Sequence, residues 1–522
     1  MAQGLRPQGD FRLKLLAALS AVMLGDALVW AQAGPFAAVL FALPPLALIT
    51  RPALRRDRRS WVWLVLAMIM ALALIWQPGV IGWWLYWIYA GIGALMPLVG
   101  RSGDAWQWAQ RLVVHGARAI VAPVLDCIRW SRVRARRKCP SLRDMAARLA
   151  LPVLGSVVIV ALFAVANPVI EAWLGHMFNT PWPAGLEIRA VVWLILFAMA
   201  WSVLRPRMPV RVHGTFDDRG ARALPGVSVS SVFASLIAFN ALFALQNAMD
   251  LAWLWGLVPL PHGMTLAAYA HRGAYPLIVT AILAAGFVLV ALRPGSETAA
   301  RGSIRRLVVL WIMQNLLLVA SAALRTWDYI AAYSLTAWRI AALLWMTLVA
   351  LGLVLVCWRM IRGNSASWLI NANAAAALAL LSVCCWVDLD EVAVRYNIAH
   401  ARELGGDGPP LDICYLQRAG PSALLALADL ERRRAPAPIH LWAQILLQDA
   451  QSAQAQLQIG GSWSLQGARR LSALPQTRPG LSFNGYPDCT IRDIHELRSM
   501  AGLETRPDPT QPSKPLTIPA RP

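Results

Sequence analysis

This 522-residue chain is short of charge: 14% of its residues are Asp, Glu, Lys or Arg, against 58% hydrophobic. That balance belongs to membrane proteins and excludes an ordinary soluble domain. Acidic residues are scarcer still, 27 against 48 Lys and Arg, for a formal net charge of +21. The excess sits between apolar runs rather than in one basic patch, which excludes nucleic acid as the partner. Seven Cys include no metal-type spacing, because Cys384 and Cys385 are adjacent while Cys127, Cys139, Cys357, Cys414 and Cys489 are scattered. A structural zinc site is thereby excluded. The chain also lacks Gly-x-x-x-x-Gly-Lys, His-Glu-x-x-His and Gly-x-Ser-x-Gly, and none of its eight His lies three or four residues from another. His262 and His271 share one loop, which is thin grounds for a metal. The sequence therefore assigns no catalytic residue, no metal and no cofactor.

What is present is a succession of apolar runs. Crossing a hydrocarbon layer of ~30 Å takes ~20 apolar residues in a helix, which satisfies its own backbone groups. Runs of this kind fall at 13–31, 35–50, 61–76, 79–99, 149–170, 187–204, 228–255, 272–292, 304–324, 336–358 and 367–386. The second is short and carries Pro44 and Pro45, and only Gln77 and Pro78 part the third from the fourth. The expected fold is all-α: a polytopic transmembrane helix bundle of about 11 helices over 1–386, followed by a small helical extramembrane tail over 387–505. A Pro-rich, disordered end at 506–522 completes the chain. The 25 Trp, among them Trp83, Trp84 and Trp87, suit the membrane interface.

The distribution of Lys and Arg tests this placement independently. Thirty lie in the N-terminus and in the loops 51–60, 100–148, 205–226, 293–306 and 359–366, whereas the alternate side holds only Arg189, Arg272, Arg325 and Arg339 before the tail. Strict alternation puts the N-terminus in the cytoplasm and the tail in the periplasm of a bacterial inner-membrane protein. Ala31-Gln32-Ala33 before Gly34 resembles a signal-peptidase site, but Asp26 interrupts the apolar stretch ahead of it.

The loop 100–148 contains Arg129, Arg132, Arg134, Arg136, Arg137 and Lys138 beside Trp130. Two readings stand: an interfacial helix gripping anionic lipid of the bilayer, or a topology determinant alone. In the tail, 423–430 and 437–449 read as amphipathic helices. Cys414 and Cys489 would share an oxidising compartment there and could form a disulfide.

Ionisable groups within spans need partners or a water-filled cavity. Asp26, Glu187, Asp250 and Asp328 lie at the same depth as the four Arg that violate the positive-inside pattern, so mutual pairing would account for both sets. The expectation is a polar cluster of Asp250, Arg272, Arg325, Asp328 and Arg339, lined by Asn240, Gln246 and Asn247, with His271 and Asp26 at the same level. It would be either a binding pocket or proton path, or a set of polar contacts that hold helices together.

Several motifs resemble one family. They are Phe239-Asn240-Ala241-Leu242-Phe243-Ala244-Leu245-Gln246-Asn247 through Asp250, Pro261-His262-Gly263-Met264-Thr265, and Tyr269 to Pro276. Tyr333-Ser334-Leu335-Thr336 with Arg339 is similar to a Tyr-Gly-Leu-Thr-x-x-Arg element, with Ser334 in place of Gly, and Arg395-Tyr396-Asn397, Leu411-Asp412 and Tyr415-Leu416 resemble a segment after the last span. Over roughly 228–430 the chain thus resembles the uncharacterised bacterial membrane family "domain of unknown function 4173", with 4153-like relatives. The resemblance implies a multi-spanning bacterial membrane protein and carries no activity with it. Sensing, scaffolding or recruitment of an unknown protein partner at the periplasmic face is the expected function. A transporter of a small polar or anionic solute is the alternative, and a membrane enzyme using Asp250 or Asp328 a third.

Overall fold

The computed structural model describes residues 7–30, 35–99, 103–136, 155–156, 186–206, 228–254, 286–287, 297–433, 435–459 and 462–474. These residues form helices and turns, with no strand among them, and the chain divides at His213/Gly214 into two compact units. The first holds α1 (Pro7–Trp30), α2 (Ala38–Thr50), α3 (Pro52–Arg56), α4 (Arg58–Trp76), α5 (Val80–Val99), α6 (Ala105–Arg136) and α7 (Leu186–Leu204). The second holds α8 (Val229–Leu254), α9 (Gly302–Tyr333), α10 (Ala337–Arg362) and α11 (Ala366–Cys384), then the shorter α12 (Leu389–His400), α13 (Ile413–Ala419), α14 (Leu424–Arg432), α15 (Ala437–Leu457) and α16 (Leu465–Ser472).

Eight described helices, α1, α4, α5 and α7 to α11, are long and apolar enough to cross a membrane. This is a membrane protein. The eleven expected spans comprise these eight, the 13-residue α2, and two stretches, 149–170 and 272–292, that lie outside the described residues save for a helical pair in each. The Ala31–Ala33 tripeptide, His262, Cys489 and the 506–522 end also lie outside them.

Local chemistry explains the irregular places. Pro44 has no N–H for the carbonyl of Leu40 four residues back, and the buried Tyr86 hydroxyl of α5 donates to that oxygen at 2.7 Å instead. Arg51, buried between α2 and α3, donates to the carbonyls of Ala94 at 2.9 Å and Val203 at 3.1 Å, so one guanidinium ties α5 to the last turn of α7. A Cβ on Gly93 would lie 2.9 Å from the Leu64 side chain, which is why α4 and α5 approach closely. Asp104 starts α6 by accepting from the Gln107 N–H at 2.9 Å. The basic loop expected at 100–148 is therefore, as far as Arg136, one 32-residue helix that runs through Pro123.

In the second unit α9 continues to Tyr333, nine residues past the expected end of that span, because Arg325 is buried by a partner rather than marking the membrane surface. The tail helices pack on its far end. Ala393, Val394, Ile398, Leu416, Leu424 and Leu427 form one apolar core with Ile330 of α9 and Leu335 of the α9–α10 turn. Tail and turn are thus buried together.

Candidate functional site: a polar seam and the turn that ends it

Asn240 and Asn247 stand seven residues apart on α8, two turns along one face. Opposite them on α9, Leu307, Gln314 and Ser321 repeat the same interval. Asn240 Nδ2 donates to the Leu307 carbonyl at 3.1 Å, and Gln314 Nε2 donates back to Asn240 Oδ1 at 2.8 Å. Asn247 Nδ2 reaches the Gln314 carbonyl at 3.2 Å. Both rungs join residues 67 apart in sequence, so α8 and α9 run parallel. Further along, Asp250 Oδ2 accepts from Arg325 Nη2 at 2.7 Å and from Ser321 Oγ at 3.1 Å, while Gln246 Nε2 holds Oδ1 at 3.1 Å. Both ends of this ion pair are more than nine-tenths buried. The buried oxygens Asn247 Oδ1 and Gln314 Oε1 accept no hydrogen bond.

Beyond Arg325, α9 ends in an uncommon turn. Ser334 has φ 70° and ψ 168°, a conformation open to glycine and costly for any side chain. The Arg339 guanidinium donates to the carbonyls of Tyr333, at 2.7 Å, and Ser334, and packs over the Tyr329 ring. The tail supplies the rest. Asn397 of α12 accepts from the Leu335 N–H at 2.7 Å and donates to the Leu335 carbonyl at 2.8 Å. The Tyr415 hydroxyl of α13 accepts from the Ala337 N–H at 2.9 Å and donates to Asp390 at 2.8 Å. Ser334→Gly should therefore stabilise the protein by about 1 kcal/mol by removing this strain. Thermal unfolding in detergent checks it, and a lowered midpoint would show the serine side chain to be required.

A buried ionic group fixes the tail behind the turn. Asp388 begins α12 by accepting from the N–H groups of Asp390 and Glu391, both at 3.1 Å, and its Oδ2 also accepts from Ser422 at 2.7 Å and Arg470 of α16 at 2.5 Å. Arg470 holds Glu391 at 2.6 Å as well. Burial pushes the Asp388 carboxyl up, but the Arg470 and Ser422 hydrogen bonds and the Arg470 charge outweigh it and hold the group below its ordinary value. The Tyr415 hydroxyl moves up, through burial first and the neighbouring carboxylates second.

The structure distributes the predicted residues as follows. Asp250, Arg325, Gln246, Asn240 and Asn247 share the seam. Asp328 is half-buried on α9 one turn past Arg325. Arg339 serves the turn rather than Asp250. Asp26 lies in the first unit, bound through both carboxylate oxygens by Arg189 and at 2.8 Å by Trp193 Nε1. Arg272 and His271 lie outside the described residues. Cys414 is disulfide-bonded, whereas Cys357, Cys384 and Cys385 are free. Sequence reasoning missed Asp388, Glu391 and Arg470. The capping pattern Asp388-x-x-Glu391 was a usable signal for α12, but nothing local marks Arg470, 82 residues from Asp388.

The separate motifs Tyr333 to Thr336, Arg339, Asn397 and Tyr415 thus meet at one turn. A family model described as "Domain of unknown function (DUF4153)" matches residues 63–430. The chain belongs to the DUF4153 family. The 4153-like resemblance read from the motifs is borne out, the number 4173 is not, and the match begins at residue 63 rather than near 228. No curated protein and no solved structure matches the chain. The DUF4153 match takes in the whole seam, the turn, Asp388, Asn397 and Tyr415, and leaves Arg470 beyond its end.

Proposed function

We propose that this DUF4153 protein is a bacterial inner-membrane protein whose C-terminal helical domain senses, scaffolds or recruits at the periplasmic face, coupled to the membrane helices through the α9–α10 turn. The observation that carries the reading is the hold of Asn397 on both backbone groups of Leu335. A domain joined by a tether alone would transmit nothing, whereas this one closes the ends of two long apolar helices, and α9 leads from there to the Asp250–Arg325 pair. The alternation of thirty basic residues against four supports the sidedness. The parallel course of α8 and α9 supports it too, since a chain joining parallel spans must return once between them, as the span expected at 272–292 would do. The bonded state of Cys414 fits an oxidising compartment, and Cys489 is its proposed partner.

Paired reporter fusions after Trp386 test the reading, one active only in the periplasm and one only in the cytoplasm. Periplasmic activity is expected, together with a Cys414–Cys489 peptide in a non-reducing digest. Cytoplasmic activity would withdraw the periplasmic module. The unsatisfied Asn247 and Gln314 oxygens favour a second reading, a transporter that uses the seam. It requires that deletion or overexpression change the accumulation of a small polar or anionic solute.

A further inference from the structure

Trp311 stands one turn before Gln314 on the seam face of α9. The rings of Phe239 and Phe243 of α8 and of Phe287 surround its indole, with centroids 5.3, 5.8 and 5.7 Å away, and so hold the ring in place. Its buried Nε1 joins Asn247 Oδ1 and Gln314 Oε1 as atoms with no hydrogen-bond partner among the described residues. A buried indole N–H ordinarily has an acceptor, and a buried amide oxygen a donor. Turning the amides does not help. Asn247 Nδ2 is engaged with two carbonyls, those of Phe243 at 2.9 Å and Gln314 at 3.2 Å, so a flipped amide would set oxygen against oxygen twice. Asn240 is fixed in the same way by the carbonyls of Leu236 at 2.7 Å and Leu307 at 3.1 Å, and its Oδ1 takes the Gln314 Nε2 hydrogen at 2.8 Å. Gln314 is thereby oriented too, with its side chain reaching back to the level where Trp311 meets Phe239 and Phe243. One donor and two acceptors are left over within about a turn of helix, inside two apolar spans.

Charge decides what such a set can take. Both carboxylate oxygens of Asp250 already have donors, Gln246 on one and Ser321 and Arg325 on the other. The ion pair cancels itself, so the seam has no net charge with which to hold a bare ion inside the membrane. An anion would also face the lone pairs of two amide oxygens. We infer that the seam between α8 and α9 binds a small neutral molecule with two donor hydrogens and one acceptor, the pattern of a primary amide. Its hydrogens go to Asn247 Oδ1 and Gln314 Oε1, and its oxygen accepts from Trp311 Nε1. The rings around Trp311 suit a short apolar remainder. Water offers the same hydrogen-bonding chemistry in its smallest form, and the experiment separates the two. The inference rests on the transporter reading of the seam and narrows its solute from polar or anionic to neutral.

The test uses the full-length protein in lipid nanodiscs with its Trp indole nitrogens labelled with nitrogen-15. The Trp311 N–H resonance is the one absent from W311F, a variant that keeps the ring packing. Titration with acetamide should move that resonance saturably. N,N-dimethylacetamide retains the acceptor but has no donor hydrogens, and should bind about tenfold more weakly or not at all. Acetate and methylammonium, the anionic and cationic counterparts, should leave the resonance where it is. A response to either ion equal to that of acetamide overturns the neutral class. A resonance that ignores acetamide but exchanges readily in deuterium oxide means a site for water only and overturns the inference, as does one that neither moves nor exchanges. Acetamide uptake into proteoliposomes is measured alongside: a saturable shift with uptake no faster than in empty liposomes would keep the binding site and withdraw the transporter reading.

Discussion

Replacing Arg325 with Leu should remove most of the folded protein from the membrane, whereas replacing Asp250 and Arg325 together should restore much of it. The pair lies within two long apolar helices, with both side chains more than nine-tenths buried. Removing the cation leaves Asp250 with Ser321 and Gln246 as donors and no opposite charge at 2.7 Å. Breaking a buried pair from one side costs about 3–5 kcal/mol, while exchanging both partners for apolar residues is often close to neutral. The measurement is the yield of monodisperse protein and its thermal midpoint for R325L, D250L and the double variant. If all three behave alike, the pair does not hold α8 to α9. If the double variant folds yet loses its cellular phenotype, the pair serves function as well as structure, as the transporter reading requires.

The same pair shows what the sequence could and could not disclose. Apolar length alone located the long helices, because a span is a property of consecutive residues. Pairing was also legible in outline: Arg189 with Asp26 and Arg325 with Asp250 both join cations out of place in the charge pattern to carboxylates at similar depth. Which cation meets which carboxylate was not legible. Arg325 looked like the end of a span and is interior to a 32-residue helix. Arg339 looked like a cluster member and instead satisfies the carbonyls of Tyr333 and Ser334, which a helix end leaves without partners. Charge in a membrane sequence marks a surface only when no partner lies at the same depth, and that depends on tertiary structure.

The tail was harder to read, for a related reason. Its amphipathic segments were visible, although α15 runs to Leu457 rather than ending near 449. Its relation to the membrane helices was not visible, since Asn397 and Leu335 are 62 residues apart and meet through backbone groups that every residue carries. The substitution of Ser for Gly at position 334 was noticed as a departure from a motif. Its meaning came only with φ 70°. A glycine-requiring turn that carries a side chain persists when its surroundings over-determine it, and Asn397, Arg339 and Tyr415 do so here.

Arg470→Leu should loosen the tail at neutral pH by about 3–5 kcal/mol, and the defect should shrink as the pH falls. In the wild type, Asp388 is held below its ordinary value of 3.8. The stability it contributes is therefore complete above that value and is lost as pH falls through the lower folded value. Without Arg470 the largest remaining influence is burial, which raises the carboxyl, opposed by Ser422 and the α12 N-terminus. Glu391 loses its 2.6 Å contact at the same time. The variant then carries a buried Asp388 carboxyl that burial pushes up with no cation beside it, so acid relieves its defect while eroding the wild-type contribution. Limited proteolysis of the tail reads this directly: at pH 7.5 the variant should be cut many times faster than the wild type, and near pH 4.5 the difference should narrow. A gap that widens on acidification would mean that Arg470 acts by packing rather than by charge. Tail cleavage that leaves the thermal midpoint of the membrane helices unmoved would show that the turn does not couple the two.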